Sequence, residues 1–166
     1  MRPKLRWYQE KAIQLVDESF ARGAKAPLIC IPTGGGKSLL IAEYIRRHPE
    51  KKFLFTAHTR ELLKQIADTF RRVGLDDFVV VTSTTNAPIN SRVVVCGIDR
   101  LRLSTGLYNN PDIVVCDECH LFGSPERFNT IGRFKDAKII GLSATPSRSD
   151  MNTLDRIFDC IFHPVL

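Results

Sequence analysis

Six short apolar runs recur along this chain with almost no internal alternation: "LICI" (28–31), "FLFT" (53–56), "FVVV" (78–81), "RVVVC" (92–96), "DIVVC" (112–116) and "KIIGL" (138–142). A strand with one face in water alternates apolar and polar residues, whereas a continuously apolar strand is covered on both faces. Helical patterns fall between several of these runs, at 37–47, 59–73, about 99–104 and about 125–133, and a further one, Tyr8 to Arg22, precedes the first run. Strands interleaved with helices predict an α/β fold, a mostly parallel sheet flanked by helices and joined by right-handed crossovers. Ligands in such folds bind outside the carboxyl ends of the strands. The residues just after each run are therefore where chemistry is expected.

Length and composition narrow the classes. A chain of 166 residues with 43% apolar content reads as one globular domain, without internal repeat, low-complexity segment or linker. No apolar run approaches the roughly 18 residues of a membrane helix, and "MRPKLRWYQEK" is too polar for a signal peptide. Cytoplasm or nucleus is the expected location, with no membrane partner. The balance of 24 Lys+Arg against 18 Asp+Glu gives +6, which permits a polyanionic partner without demonstrating one. Five cysteines, an odd number, argue against a disulfide framework. "CDECH" at Cys116–His120 matches the haem-attachment spacing C-x-x-C-H. Yet Cys116 closes an apolar strand, and a zinc site would need a second pair of ligands at matching spacing.

The stretch "LICIPTGGGKSLL" (28–40) places three glycines and a lysine between a buried strand and a helix. Glycines let the backbone curl and leave its N–H groups unblocked, and a helix N-terminus with free donors is an anion site. "GGGKS" carries the final G-K-[ST] of a phosphate-binding loop, although Ile31 stands where the strict pattern has its first glycine. Pro32, Thr33, Gly34, Gly35, Gly36, Lys37, Ser38 and Leu39 are the candidate ATP-binding residues here. Lys37 would reach the β/γ-phosphates, and the Ser38 hydroxyl would ligate Mg²⁺. About 80 residues later, "IVVCDECH" delivers Asp117 and Glu118 at the end of a strand. Two carboxylates there suit metal holding by Asp117, with Glu118 beside it, and activation of a water by Glu118. Lys37, Asp117 and Glu118 form the candidate catalytic set.

With "DECH" in place the chain resembles the N-terminal RecA-like motor domain of superfamily 2 helicases and translocases, the DExD/H-box group. Within it, the excision-repair and type III restriction-enzyme branch is the most similar. "LRWYQEKAI" (5–13) resembles the family's Q-motif, which implies that Gln9 reads the adenine edge and that Arg6 joins it among the ATP-binding residues. "IPTGGGKS" resembles motif I, usually "AxxGxGK[ST]", with Ile31 in place of alanine. "TAHTREL" (56–62) and "VVVCGIDRL" (93–101) resemble nucleic-acid motifs, which implies strand contacts from Thr56, His58, Thr59, Arg60, Gly97, Asp99 and Arg100. "DECH" resembles motif II and "GLSATPSR" (141–148) motif III, implying that His120, Ser143, Ala144 and Thr145 couple nucleotide state to domain movement.

The resemblance implies an ATP- and Mg²⁺-dependent motor on nucleic acid, DNA in preference to RNA. Gly97 departs from it, standing where the family has a threonine. A second RecA-like domain, with motifs IV to VI and arginine fingers, is expected in cis or in trans. Such a finger is worth about 10³–10⁵ in rate, so the isolated domain is expected to be monomeric, to bind Mg·ATP and to hydrolyse it poorly. Two other classes fit parts of the pattern. A P-loop kinase or small-molecule ATPase would not need Gln9, "TREL" and "SATP" together, and a non-hydrolysing binding module would not need intact Lys37, Asp117 and Glu118.

Overall fold

The apolar runs join one sheet. The computed structural model describes residues 1–84, 90–104, 110–122, 124–144 and 154–165. Along the chain lie α1 (Trp7–Ala21), β1 (Pro27–Cys30), α2 (Lys37–Arg47), β2 (Phe53–Ala57), α3 (Arg60–Val73), β3 (Phe78–Val80) and β4 (Val93–Gly97). They are followed by α4 (Ile98–Leu103), β5 (Ile113–Cys116), a 3-10 turn (Cys119–Phe122), α5 (Pro125–Gly132), β6 (Lys138–Ser143) and β7 (Cys160–Phe162). The sheet order is β3-β4-β2-β5-β6-β1-β7, and all its described pairings are parallel. This is the three-layer RecA-like P-loop fold expected from the sequence.

Period-two geometry sends successive side chains of each strand into different cores. Ile29, Phe53, Phe55, Val93, Val95, Ile113, Val115, Ile140 and Leu142 pack with residues of α1, α2 and α3. Leu28, Leu54, Val94, Cys96, Val114 and Cys116 face the other way, against Ile98, Leu101, Phe122 and Ile131. Full burial of such a side chain contributes about 1.5–3 kcal/mol, and β1, β2, β4 and β5 are buried almost throughout, whereas the edge strand β3 is half-buried and exposes Val79. Local signals set the ends of α3: the Thr59 hydroxyl accepts from Leu62 N–H, and Gly74 takes the left-handed conformation at the C-cap (φ 78°).

The strand order matters more than the strand count. β5 lies between β2 and β6, and β6 between β5 and β1. The turns after β1, β5 and β6 are therefore neighbours, and those after β2 and β4 lie just across β5. β7, three residues long, has no signal in the sequence. It pairs with β1, and its approach is fixed by Asp159, whose carboxylate accepts from Lys25 N–H (2.6 Å) and Ala26 N–H (3.2 Å). Phe158 packs where any side chain on Gly141 would stand. Among the described residues no helix is long and apolar enough to cross a membrane.

Candidate functional site

Three glycines form the β1–α2 turn for two distinct reasons. Gly34 (φ 78°) and Gly36 (φ 79°) sit in the left-handed region, where an L side chain costs roughly 1–2 kcal/mol. Gly35 does not. There a Cβ would overlap Ile31 Cγ2, and Ile31 is fully buried beneath the loop. The buried Ile31 side chain and the Pro32 carbonyl, 2.9 Å from where that Cβ would stand, together account for the third glycine. Gly36 caps α2 without a side chain, and no acidic residue occupies the first turn, so the leading N–H groups and the helix dipole remain open to an anion. Pro32, Thr33 and Gly34 are exposed, and Gly35 to Leu39 are half-buried.

The Q-motif grips this loop. Gln9, only 2% exposed, donates from Nε2 to the Gly35 (3.2 Å) and Gly36 (3.0 Å) carbonyls, while its Oε1 accepts from Arg6 N–H (2.7 Å). The Tyr8 hydroxyl donates to the Gly35 carbonyl at 2.9 Å and accepts from the Arg6 guanidinium at 3.0 Å. In this state the Gln9 amide is therefore committed to the loop. Tyr8, in the first turn of α1, thus holds the loop as Gln9 does, a role that its place beside Gln9 in "WYQ" did not by itself assign. Trp7 is largely exposed and meets Tyr8 edge to face.

The β5 turn faces the loop. Asp117 N–H donates to the Thr56 carbonyl at 2.9 Å, extending the ladder with β2. The Asp117 side chain is buried, with Oδ1 accepting from Glu118 N–H at 2.9 Å. Burial, then the neighbouring Glu118 charge, pushes its carboxyl up to about 6. A buried carboxylate and a hydroxyl such as that of Ser38 are hard oxygen donors of the kind that suit a divalent cation, although among the described residues no three His, Cys, Asp or Glu side chains come together as a metal cluster. Glu118 holds φ 50°, a strained conformation for a long side chain. Its carboxylate lies 3.6 Å from Lys37 Nζ and 3.4 Å from His120 Nδ1. Lys37 Nζ also donates to the Ile31 carbonyl at 3.3 Å, and His120 Nδ1 lies 3.2 Å from the Ser143 hydroxyl on β6. Lys37, Glu118, His120 and Ser143 thus form one chain of contacts, with Asp117 beside it. Ala144 follows Ser143, and Thr145 lies outside the described residues. Cys116 and Cys119 of the haem-like pattern are both buried in the second core, where burial raises their thiols.

The turns after β2 and β4 carry the nucleic-acid candidates. Thr56 is a correction: it is fully buried, so its side chain is not presented to a polyanion, and its hydroxyl has no partner among the described residues. His58 Nδ1 is also buried and unpartnered among them, and burial followed by the Arg127 charge holds its imidazole below the ordinary value. Thr59 caps α3, and Arg60 is exposed at its first turn. Gly97 caps α4 with φ −66°, and a Cβ there would meet only ordinary contacts. Arg100 donates to the Thr82 carbonyl at 3.4 Å and to the Ser104 hydroxyl. Asp99, whose charge disfavours a phosphate, is bound by Arg127, a residue with no sequence signal (Nε to Oδ1 3.3 Å, NH2 to Oδ2 3.1 Å).

With the phosphate loop and acidic turn side by side, the family assignment rests on a match over most of the chain. Residues 2–148 match the family described as type III restriction enzyme, res subunit. The chain belongs to that family. As a res-subunit family member it is a superfamily 2 RecA-like ATPase domain. Saccharomyces cerevisiae IRC3 is 28% identical over 180 residues, covering 97% of this chain and 26% of that protein. The chain thus spans about a quarter of that relative's length. The bacteriophage T4 UvsW helicase superposes with a TM-score of 0.80 at 22% identity, over 98% of this chain and 61% of that one. The Sulfolobus solfataricus SWI2/SNF2 ATPase core, solved with double-stranded DNA, gives 0.80 at 18% identity, over 96% and 36%. Those two share the fold.

Proposed function

We propose that this domain is the ATP-binding half of a motor that couples Mg·ATP hydrolysis to movement along, or unwinding of, nucleic acid. The observation that carries the reading is the contact chain Lys37–Glu118–His120–Ser143, drawn from three neighbouring strand ends. Lys37 rests on Glu118 and the Ile31 carbonyl, and on this reading moves to the β/γ-phosphates when ATP enters the loop. That frees Glu118 to orient a water and accept its proton. Ser38 and Asp117 would hold Mg²⁺, which supplies neutralisation of the phosphate oxygens. His120 and Ser143 would report the change to a second RecA-like domain, in cis or in trans.

DNA is the favoured track, supported by the double-stranded DNA in the complex of the SWI2/SNF2 relative. His58, Thr59, Arg60 and the Gly97 backbone would contact phosphates, which suits sequence-independent movement. Equilibrium binding to matched single- and double-stranded DNA and RNA, with a Mg·ATP analogue and across a salt series, tests this reading. The expected result is a nucleotide-dependent preference for DNA. Equal, steeply salt-dependent binding to all four would reduce the grip to net charge and remove the assignment of a track to this half.

A further inference from the structure

Between the acidic turn and the β4–α4 turn lies one side chain that touches both. Arg127, at the third position of α5, is set by Ser124, whose hydroxyl caps that helix by accepting from Arg127 N–H at 3.3 Å. The Arg127 guanidinium then bonds both oxygens of Asp99, at the start of α4, and donates through NH1 to the Leu121 carbonyl at 2.9 Å. Leu121 follows His120 in the 3-10 turn, and Leu121 N–H donates to the Glu118 carbonyl at 3.0 Å. One short turn therefore carries Glu118, His120 and the carbonyl that Arg127 reads. Its charge also acts on His58 in the β2–α3 turn. The planar fork of arginine makes such a three-bond junction stiff in a way that a lysine would not. The far end of α4 is fastened separately: Arg133 donates to the Leu101 (2.9 Å) and Arg102 (3.4 Å) carbonyls.

We infer that Arg127 is a positioning residue that couples the DECH turn to the nucleic-acid face, so that movement at Glu118 and His120 is passed to Asp99 and the head of α4. The inference rests on the motor reading above. It requires only that a shift of the 3-10 turn pull on the guanidinium and that Asp99, at the head of α4, move in response, whether or not the far end of α4 is fastened by Arg133. By reciprocity of binding free energies, nucleic acid bound at the β4–α4 turn changes nucleotide affinity by the same factor as nucleotide changes affinity for nucleic acid.

The test is ATP turnover of the complete protein with and without DNA, alongside affinity for an ATP analogue. Arg127→Ala is expected to keep basal turnover and analogue affinity within about twofold, and to lose about fivefold or more of the DNA stimulation, the lower range of allosteric factors. Asp99→Ala combined with Arg127→Ala should lose no more stimulation than Arg127→Ala alone, because both remove one junction. Arg133→Ala is the structural control: it lowers the melting temperature by loosening α4 but leaves stimulation intact. Full stimulation in Arg127→Ala overturns the inference. So does equal loss in Arg127→Ala and Arg133→Ala, which would mark general loosening of α4 and α5. If no nucleic acid stimulates the unaltered protein, the motor reading itself falls and takes the inference with it.

Discussion

The turns after β1 and β5 and those after β2 and β4 open on the same edge of one sheet, but they are built differently. On the nucleotide side the backbone takes conformations open to few residues: Gly34 and Gly36 have the positive φ that glycine alone adopts freely, Glu118 holds one at a cost, and Asp117 is a buried carboxyl. On the other side Thr59 caps its helix as threonine commonly does, and Gly97 has a φ open to any residue. Among the described helices two N-caps are glycine, Gly36 and Gly97, yet only the first is forced to be. A site that must present donors to phosphate before the phosphate arrives needs a shape fixed by its neighbours. The proposed grip on a moving strand would be served by turns near their energy minimum, able to shift without first releasing strain.

The comparison is most exposed at Glu118. Glu118→Gln in the complete protein should lower ATP turnover by about 10²–10⁴ while retaining ATP binding, as measured by phosphate release and analogue affinity. Unchanged turnover would mean that the strained residue is not the base. Gly36→Ala should cost about 2–4 kcal/mol in urea unfolding, from the left-handed φ and overlap with Gln9 Nε2.

The buried carboxyl gives a pH signature. Because the Asp117 carboxyl is raised from an ordinary 3.8 to about 6 in the folded chain, the folded state binds its proton more tightly. This stabilisation is complete below about pH 3.8 and is lost as pH rises through about 6, by about 3 kcal/mol at most. Asp117→Asn should remove that slope in melts recorded without Mg²⁺. A slope that persists would place the titration elsewhere.

Smaller effects sharpen the contrast. Gly35→Ala should be destabilising alone and milder in an Ile31→Ala background, with a coupling of about 1–3 kcal/mol. Additive losses would break the link between the buried isoleucine and the third glycine. Gly97→Ala should change stability by less than about 0.5 kcal/mol, and a larger loss would mean that this turn is as constrained as the phosphate loop.

Much of this was legible in one dimension. Continuous apolar runs marked the strands of the parallel sheet, and β1, β2 and β5 are buried along their whole length, although the equally apolar edge strand β3 is half-buried with Val79 exposed. "GGGKS" and "DECH" announced their chemistry because backbone donors and paired carboxylates at strand ends leave local signatures. What the chain could not announce was decided by contacts distant in sequence. β7 is too short for periodicity and exists because β1 offers it an edge and Asp159 ties it down. Thr56 looks like a phosphate ligand in its motif but is buried by neighbouring strands, and Gln9 and Tyr8 reach a loop 26 to 27 residues away. Arg127 is one arginine among many until α5 lays it between Leu121 and Asp99. Sequence pattern thus determined which residues enter strands and which turns hold charge. Sheet order decided which turns meet, because adjacency in a parallel sheet follows from crossovers and packing rather than from position along the chain.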